Sequence, residues 1–361
     1  MKMSLIPRVS SLLLASTLVS ADATTYNVNA ICTWLRPDDA LLSDFHRRAL
    51  GTTYWGSGIL MASLADISAL YPSYNGTYFS TYASTYSDAP ATVGSGFIDG
   101  YYDDEGWWAN GWITVYDLTQ DPDYLNVAIS LYNDIAGGYN TPCGGLYWSK
   151  DGTYIASIPN ELYITLAASL ANRVSSDQSQ SYLDAAVTAW DWFFNIGVVG
   201  EDRLVVDRVN VSTCLPVGIQ YSYNQGVILS AAVELYQATG NETYLEYAGN
   251  ITNATTAINS TLTGANGVIL DCHNGPCDTT GAMFKGPWFR GLHQLQLVYP
   301  HDNWVDYITN NAQSLWNNAL NDTDGQCNTG ADFSGPMSDV NEVTQGAALD
   351  CLVAAWAVTS T

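Results

Sequence analysis

Within eight residues, Tyr101-Tyr102-Asp103-Asp104-Glu105-Gly106-Trp107-Trp108, the chain sets two adjacent carboxyl groups between a tyrosine pair and a tryptophan pair. Two carboxyls at one site can divide the work of bond cleavage. One donates a proton to a leaving oxygen while the other attacks or activates water. Aromatic faces beside them offer platforms for a sugar ring. An Asp-Asp helix cap followed by a buried tryptophan pair is the purely structural alternative. Consecutive helical residues do not face each other. Asp103 and Asp104 must therefore sit at a loop-to-helix junction if both are to open on one cleft. Neighbouring residues reach the ~5–5.5 Å spacing of retaining chemistry more readily than the ~6.5–9.5 Å of inverting chemistry.

Such a pair needs a scaffold that gathers helix starts, and the chain repeats one. The stretch from Tyr116 to Leu125 closes one helix and opens another. Tyr236 to Leu245 repeats both halves, Ser181 to Asp184 repeats the opening half, and His301 to Val305 is a weaker copy. Tyr124, Tyr182, Tyr244 and Trp304 thus recur at about sixty residues, enough for a helical hairpin with its loops. Leu183, Ala186, Val187, Trp190, Phe193 and Phe194 keep helical spacing ahead of a stop at Gly197. Leu162, Leu166 and Leu170 mark another helix, and Ile228, Ala231, Ala232 and Leu235 a third.

Roughly six hairpins fit the chain. The predicted fold is all-α, a single-domain (α/α)6 barrel over residues 22–361, with an open solenoid as the alternative. The last helix, near Val343 to Val358, is expected to find a ring-closing partner in Thr25 to Leu35. With the first helix of each pair inside, five clusters should converge on one mouth. They are Tyr54-Trp55, Asp103-Asp104, Asn160-Glu161, Tyr223-Asn224-Gln225 and Phe284-Lys285. Each alone is an ordinary helix cap; together they outline a cleft. Tyr54, Trp55, Tyr102, Trp107, Trp108, Tyr147, Trp148 and Phe284 are candidate sugar platforms, although buried aromatics between helices are as common. Asn160, Tyr223, Asn224 and Gln225 can bond sugar hydroxyls or cap helices. Glu161 is a candidate sugar ligand or third acid. Lys285 is a further candidate ligand, although it and Arg290 are expected to pair with acidic neighbours.

Net charge of −24 with only 11 lysines and arginines excludes a nucleic-acid partner and suits a neutral ligand. Lys2, Arg8, the apolar run Ser11 to Leu18 and Val19-Ser20-Ala21 read as a secretory leader over residues 1–21. No later stretch is apolar enough to span a bilayer, and the C-terminus lacks a lipid-anchor pattern. The expected protein is a secreted monomer, extracellular or cell-wall associated. Asn-x-Ser/Thr acceptors at Asn75, Asn210, Asn241, Asn250, Asn253, Asn259 and Asn321 fit that route. So do seven cysteines, most expected to pair, with Cys272 and Cys277 as a local staple. The cysteine and histidine spacings match no zinc pattern, so neither metal nor cofactor is expected.

The sequence resembles glycoside hydrolase family 76, the endo-α-1,6-mannanases and related fungal wall transglycosidases. The resemblance rests on Tyr101 to Trp108, Tyr116 to Thr119, Cys143 to Lys150, Asn160 to Tyr163, Tyr223 to Gly226, Phe284 to Gly286 and Gln345 to Leu349. It implies an (α/α)6 barrel, α-1,6-mannan or mannooligosaccharides as substrate, and retaining cleavage. Asp103 is similar to the family's nucleophile and Asp104 to its acid/base. Transfer to wall acceptors and non-catalytic mannan binding are the alternative functions.

Overall fold

The computed structural model describes residues 54–71, 76–90, 96–152, 154–271, 280–321, 328–337 and 340–359. The leader, the segment Thr25 to Leu35, Asn75, Cys32, Cys272, Cys277 and Cys327 lie outside the described residues.

The described residues form eleven α-helices. They are α1 (Tyr54–Leu70), α2 (Phe79–Asp88), α3 (Tyr102–Thr119), α4 (Pro122–Gly137), α5 (Ser157–Arg173) and α6 (Ser176–Asn195). There follow α7 (Ser222–Thr239), α8 (Thr243–Thr256), α9 (Lys285–Val298), α10 (Asp302–Ser314) and α11 (Glu342–Thr359). The odd-numbered helices form an inner ring. α1 packs on α3, then α5, α7, α9 and α11 follow in order, and α11 returns to α1. Closure therefore comes from two inner helices meeting, which rules out the open solenoid. α4, α6 and α8 lie outside, each against the inner helix before it, and α10 lies outside chiefly against α11.

Sequence explains this layering. Inner helices bury every face: α5 is buried without interruption from Ser157 to Ala171. Outer helices bury one stripe, as α6 does with Ala186, Ala189, Trp190 and Phe193. The hairpin turns follow standard stop-and-start chemistry. Gln120 ends α3 in the left-handed region; Asp121 then caps α4, accepting the Asp123 N–H, with Pro122 opening the helix. Gly240 plays the stop role after α7.

The sixty-residue aromatic repeat has a packing cause. Tyr124, Tyr244 and Trp304 sit in the first turn of an outer helix. Tyr182 lies in the second turn of α6, which starts earlier than the repeat implies, at Ser176. Each leans on the outer helix before it. Tyr124 meets Tyr86, Tyr182 meets Tyr132, and Tyr244 meets Trp190, all edge to face. The Trp304 indole donates to Asn253 Oδ1 at 2.9 Å. The inner ring is tight enough to need glycine. A methyl group on Gly111 would strike the Gly58 carbonyl, and one on Gly291 the Gly226 carbonyl, so the α1–α3 and α7–α9 backbones touch.

Loops at the helix N-terminal end carry a small antiparallel sheet of β1 (Ile155–Ala156), β2 (Arg208–Val209) and β3 (Pro216–Val217). The Cys143–Cys214 disulfide ties this sheet to the loop before α5. Cys351 is a buried free thiol. A second antiparallel pair, β4 (Leu320–Asn321) and β5 (Asn328–Thr329), precedes α11. Among the described residues, no helix is long and apolar enough to cross a membrane.

Candidate active site

All five clusters fall in the first turns of α1, α3, α5, α7 and α9, at one mouth of the ring, or immediately before α9 in the case of Phe284. Asp103 and Asp104 occupy the second and third positions of α3, directly after the extended residue Tyr101. That junction is pinned by a neighbouring extended segment. The Tyr102 N–H donates to the Trp148 carbonyl at 3.1 Å, and the Lys150 N–H to the Gly100 carbonyl at 2.9 Å. Alternation along an extended strand then separates Tyr147 from Trp148. Tyr147 packs towards the main core, whereas Trp148 turns into the mouth.

The Trp148 indole N–H donates to Asp103 Oδ2 at 2.9 Å. Asp103 Oδ1 is buried with no partner among the described residues. Burial pushes the Asp103 carboxyl up to about 7, while the Trp148 hydrogen bond pulls the other way. Asp104 is raised well above the usual carboxylate range, first by burial and then by the neighbouring Asp103 and Asp99 charges. The two acids thus differ in surroundings. One accepts an indole hydrogen bond; the other is crowded by like charge.

Aromatic rings line the same mouth. Trp55 lies 6.0 Å from Trp107 and 6.5 Å from Phe284, centroid to centroid. Phe284 stacks on Tyr223 at 4.0 Å, with Tyr221 on its edge at 5.1 Å. Across the opening, Trp148 lies between Tyr101 at 4.7 Å and Tyr154 at 5.4 Å. Ile59, Leu162 and Val227 join Trp107 in the apolar cluster of this mouth. Below it the lumen widens into a cavity of about 460 Å³ that reaches Arg173 and Glu234 near the other end.

Several expected site residues serve the frame instead. Asn160 is fully buried: its Oδ1 accepts the Leu146 N–H at 2.8 Å, and its amide donates to the Leu146 and Ala156 carbonyls. Gln225 repeats this on Val205, donating also to the Tyr221 carbonyl. Both amides latch a mouth loop onto an inner helix, so sugar hydroxyls are not their partners here. Trp108 is sealed in the core against Tyr54, Phe97 and Trp112, so only Trp107 of the pair borders the mouth. Tyr102 turns outward, under the Lys150 ammonium. Lys285 is buried and pairs with Asp271 at 3.5 Å. Glu161 is fully buried; the Asn224 amide donates to its carboxyl at 3.3 Å, and burial raises it well above the ordinary value.

The structure also brings in residues that sequence reasoning passed over. Asp99 accepts the Tyr101 N–H at 2.8 Å, and its charge helps raise both Asp103 and Asp104. Tyr154 and Tyr221 join the rim, and Asp207 stands near Tyr154 and Tyr223. The signal for Asp99 was its place four residues before Asp103. Asp207 gave none, because its position depends on pairing of β1 with β2.

A closed ring of inner and outer helices with a carboxyl pair under an aromatic rim defines the class of helical-barrel glycoside hydrolases. The chain belongs to glycosyl hydrolase family 76, whose family model matches residues 21–360. It is similar to a putative mannan endo-1,6-α-mannosidase of Schizosaccharomyces pombe, with 28% identity over 59% of this chain and 51% of that protein. The mannan endo-1,6-α-mannosidase DCW1 of Candida albicans is 26% identical over 58% of this chain and 47% of its own. The chain thus spans about half the length of these two relatives. Among solved structures, it resembles the α-1,6-mannanase GH76A of Salegentibacter sp. HEL1_6, with a TM-score of 0.74 at 23% identity, covering 84% of this chain and 89% of that one. Dfg5 of Chaetomium thermophilum, solved with glucosamine, gives a TM-score of 0.70 at 20% identity over 84% and 80% of the two chains.

Proposed function

We propose that this protein is a secreted, endo-acting glycosidase that cleaves α-1,6-mannosidic bonds of mannan with retention, using Asp103 as nucleophile and Asp104 as acid/base. The observation that carries this reading is the unequal environment of the two carboxyls. An indole N–H on Asp103 Oδ2 favours the ionised form, and Oδ1 is buried without a partner among the described residues. Burial, with like charge added to it, keeps a proton on Asp104.

In the first step Asp103 attacks the anomeric carbon. The bond to the 6-oxygen of the neighbouring mannose breaks, and that oxygen takes the Asp104 proton. Asp104 then removes a proton from water as it attacks the mannosyl–Asp103 ester, which frees the sugar and restores both acids. Mannan as substrate is supported by the names of the relatives and by an inactive variant of the Salegentibacter mannanase bound to α-1,6-mannotriose. A neutral polymer also suits a chain of charge −24. Export is supported by the Cys143–Cys214 disulfide, which needs an oxidising compartment.

Incubation with unbranched α-1,6-mannooligosaccharides, followed by proton NMR, tests substrate and stereochemistry together. The first anomer released should be α, from internal bonds. Release of β-anomer, or no cleavage, would overturn the reading.

A further inference from the structure

Two motif residues take no part in the proposed reaction: Glu105, which follows the acid pair, and Lys150, which closes the stretch from Cys143. The fold joins them. The Lys150 ammonium lies 2.5 Å from Glu105 Oε1 and 2.6 Å from Asp134 Oδ2 on α4. Glu105 is fully buried on α3, and its Oε1 also accepts the Asp99 N–H at 3.1 Å. Lys150 stands two residues after Trp148, on the segment that flanks the start of α3. Main-chain bonds set the register of that segment. The Tyr102 N–H donates to the Trp148 carbonyl, the Lys150 N–H to the Gly100 carbonyl, and the Trp148 N–H to the Tyr154 carbonyl at 2.8 Å.

Asp103 and Glu105 are two helical steps apart, so they leave α3 on roughly opposite sides. Their partners, Trp148 and Lys150, are also two residues apart. The segment therefore straddles the helix start. The Trp148 indole meets Asp103 Oδ2 at 2.9 Å on the mouth side, and the Lys150 ammonium meets Glu105 on the other. Main-chain bonds decide which residues stand opposite, but a segment held along one line can still swing about it. Stacking on Tyr154 at 5.4 Å sets the plane of the indole, not how far its N–H reaches. A charged contact across the helix start stops the swing, because a charge-assisted bond is short and directional. Water is a poor substitute for that contact, since releasing Lys150 strands Glu105 in the interior. We propose that the Lys150–Glu105 pair is a positioning latch that holds the Trp148 indole on Asp103. This rests on the reading of Asp103 as the nucleophile. Asp134 ties the same ammonium to α4, so the latch is anchored in the outer layer as well. Of three consecutive acids, two face the reaction and the third holds the segment that serves one of them.

The test reads the latch through Trp148. In 15N–1H spectra, the indole resonance that disappears in Trp148→Phe reports the bond to Asp103. In Lys150→Met that resonance should move upfield, towards the position of an unbonded indole, whereas Lys150→Arg should largely keep its place. On linear α-1,6-mannohexaose, Lys150→Met should lower kcat about fivefold with KM within about twofold. Trp148→Phe should cost at least as much. Adding Lys150→Met to it should remove no more than about 1.5-fold further, because both changes act through one contact. A residue that only stabilised the frame would lower both backgrounds alike. An unmoved resonance in Lys150→Met, or losses that multiply in the double variant, would overturn the proposal. A wild type that cleaves no mannooligosaccharide would instead refute the hydrolase reading, and the resonance alone would then decide the latch. Should Lys150→Met fail to fold, the combination of Glu105→Gln with Lys150→Met decides by the same measurements. It removes both charges and keeps an acceptor for the Asp99 N–H.

Discussion

At the C-terminal ends of α3, α5 and α7, Arg173 forks between Asp117 at 2.6 Å and Glu234 at 2.9 Å. At the N-terminal ends of the same ring, Asp99, Asp103 and Asp104 crowd one another, and the nearby Lys150 is taken up by Glu105 and Asp134. The electrostatic outcome is opposite. Burial works against the Glu234 carboxylate, but the Arg173 guanidinium overrides it and holds Glu234 below its ordinary value. Around Asp103 and Asp104 no guanidinium opposes burial, and both acids rise. A barrel can use acidic residues as rivets where a planar cation satisfies them, and as proton carriers where none does. Residue type is the same at both ends; the partner decides the role.

Removing one member of the mouth should break function without breaking the frame. Asp103→Asn and Asp104→Asn are each expected to lose about 10⁴-fold or more in kcat on α-1,6-mannooligosaccharides, with circular dichroism unchanged. Either variant keeping near-normal turnover would end the assignment. The opposite end should give the opposite result. Arg173→Met leaves Glu234 buried without its guanidinium and should cost about 3–5 kcal/mol in denaturant unfolding. Turnover per folded molecule should change little. A variant as stable as the wild type would mean that the clasp is ornamental and that the contrast between the ends fails.

Trp148 sharpens the comparison within the mouth. Its indole lowers the Asp103 pKa, so Trp148→Phe should raise it. The acid limb of kcat/KM requires ionised Asp103, and it should move to higher pH by up to about one unit. A limb that stays put would mean that the indole does not set the ionisation of Asp103.

How far these roles were legible in sequence depended on range. Local pattern sufficed for the hairpins: helical spacing from Leu183 to Phe194 and the stops at Gln120 and Gly240 needed only neighbours in the chain. The mouth was legible because inner helices run the same way, so helix starts collect at one end. What sequence could not show was which first-turn residues point inward. Asn160 and Gln225 look like sugar ligands until Leu146 and Val205 are seen to occupy their amides, contacts made across loops. Trp107 and Trp108 are one helical step apart and fall on different faces, so a pair that reads as one platform is split between mouth and core. Arg290 was legible as an ion-pair residue, yet its task of joining α9 to Asp66 on α1 and Asp350 on α11 emerged only with the closed ring.

The smallest expected effect follows from linkage. Burial pushes Asp103 up to about 7 in the folded protein against an ordinary aspartate value of 3.8, so between those values the folded state binds more protons than the unfolded chain. Stability must then fall as pH rises through that window, because ionising Asp103 in place costs more than ionising it in the unfolded chain. Asparagine keeps the shape and cannot ionise. Asp103→Asn should therefore match the wild-type melting temperature near pH 4 and exceed it by a few degrees at pH 7.5. Arg173→Met should show no such crossover, since Glu234 is held below its ordinary value and the clasp stabilises the fold above that value. Calorimetric scans of both variants at the two pH values measure this directly. If Asp103→Asn melts no higher than the wild type at pH 7.5, then Asp103 is not destabilised by its site, and the mouth is as well compensated as the far end.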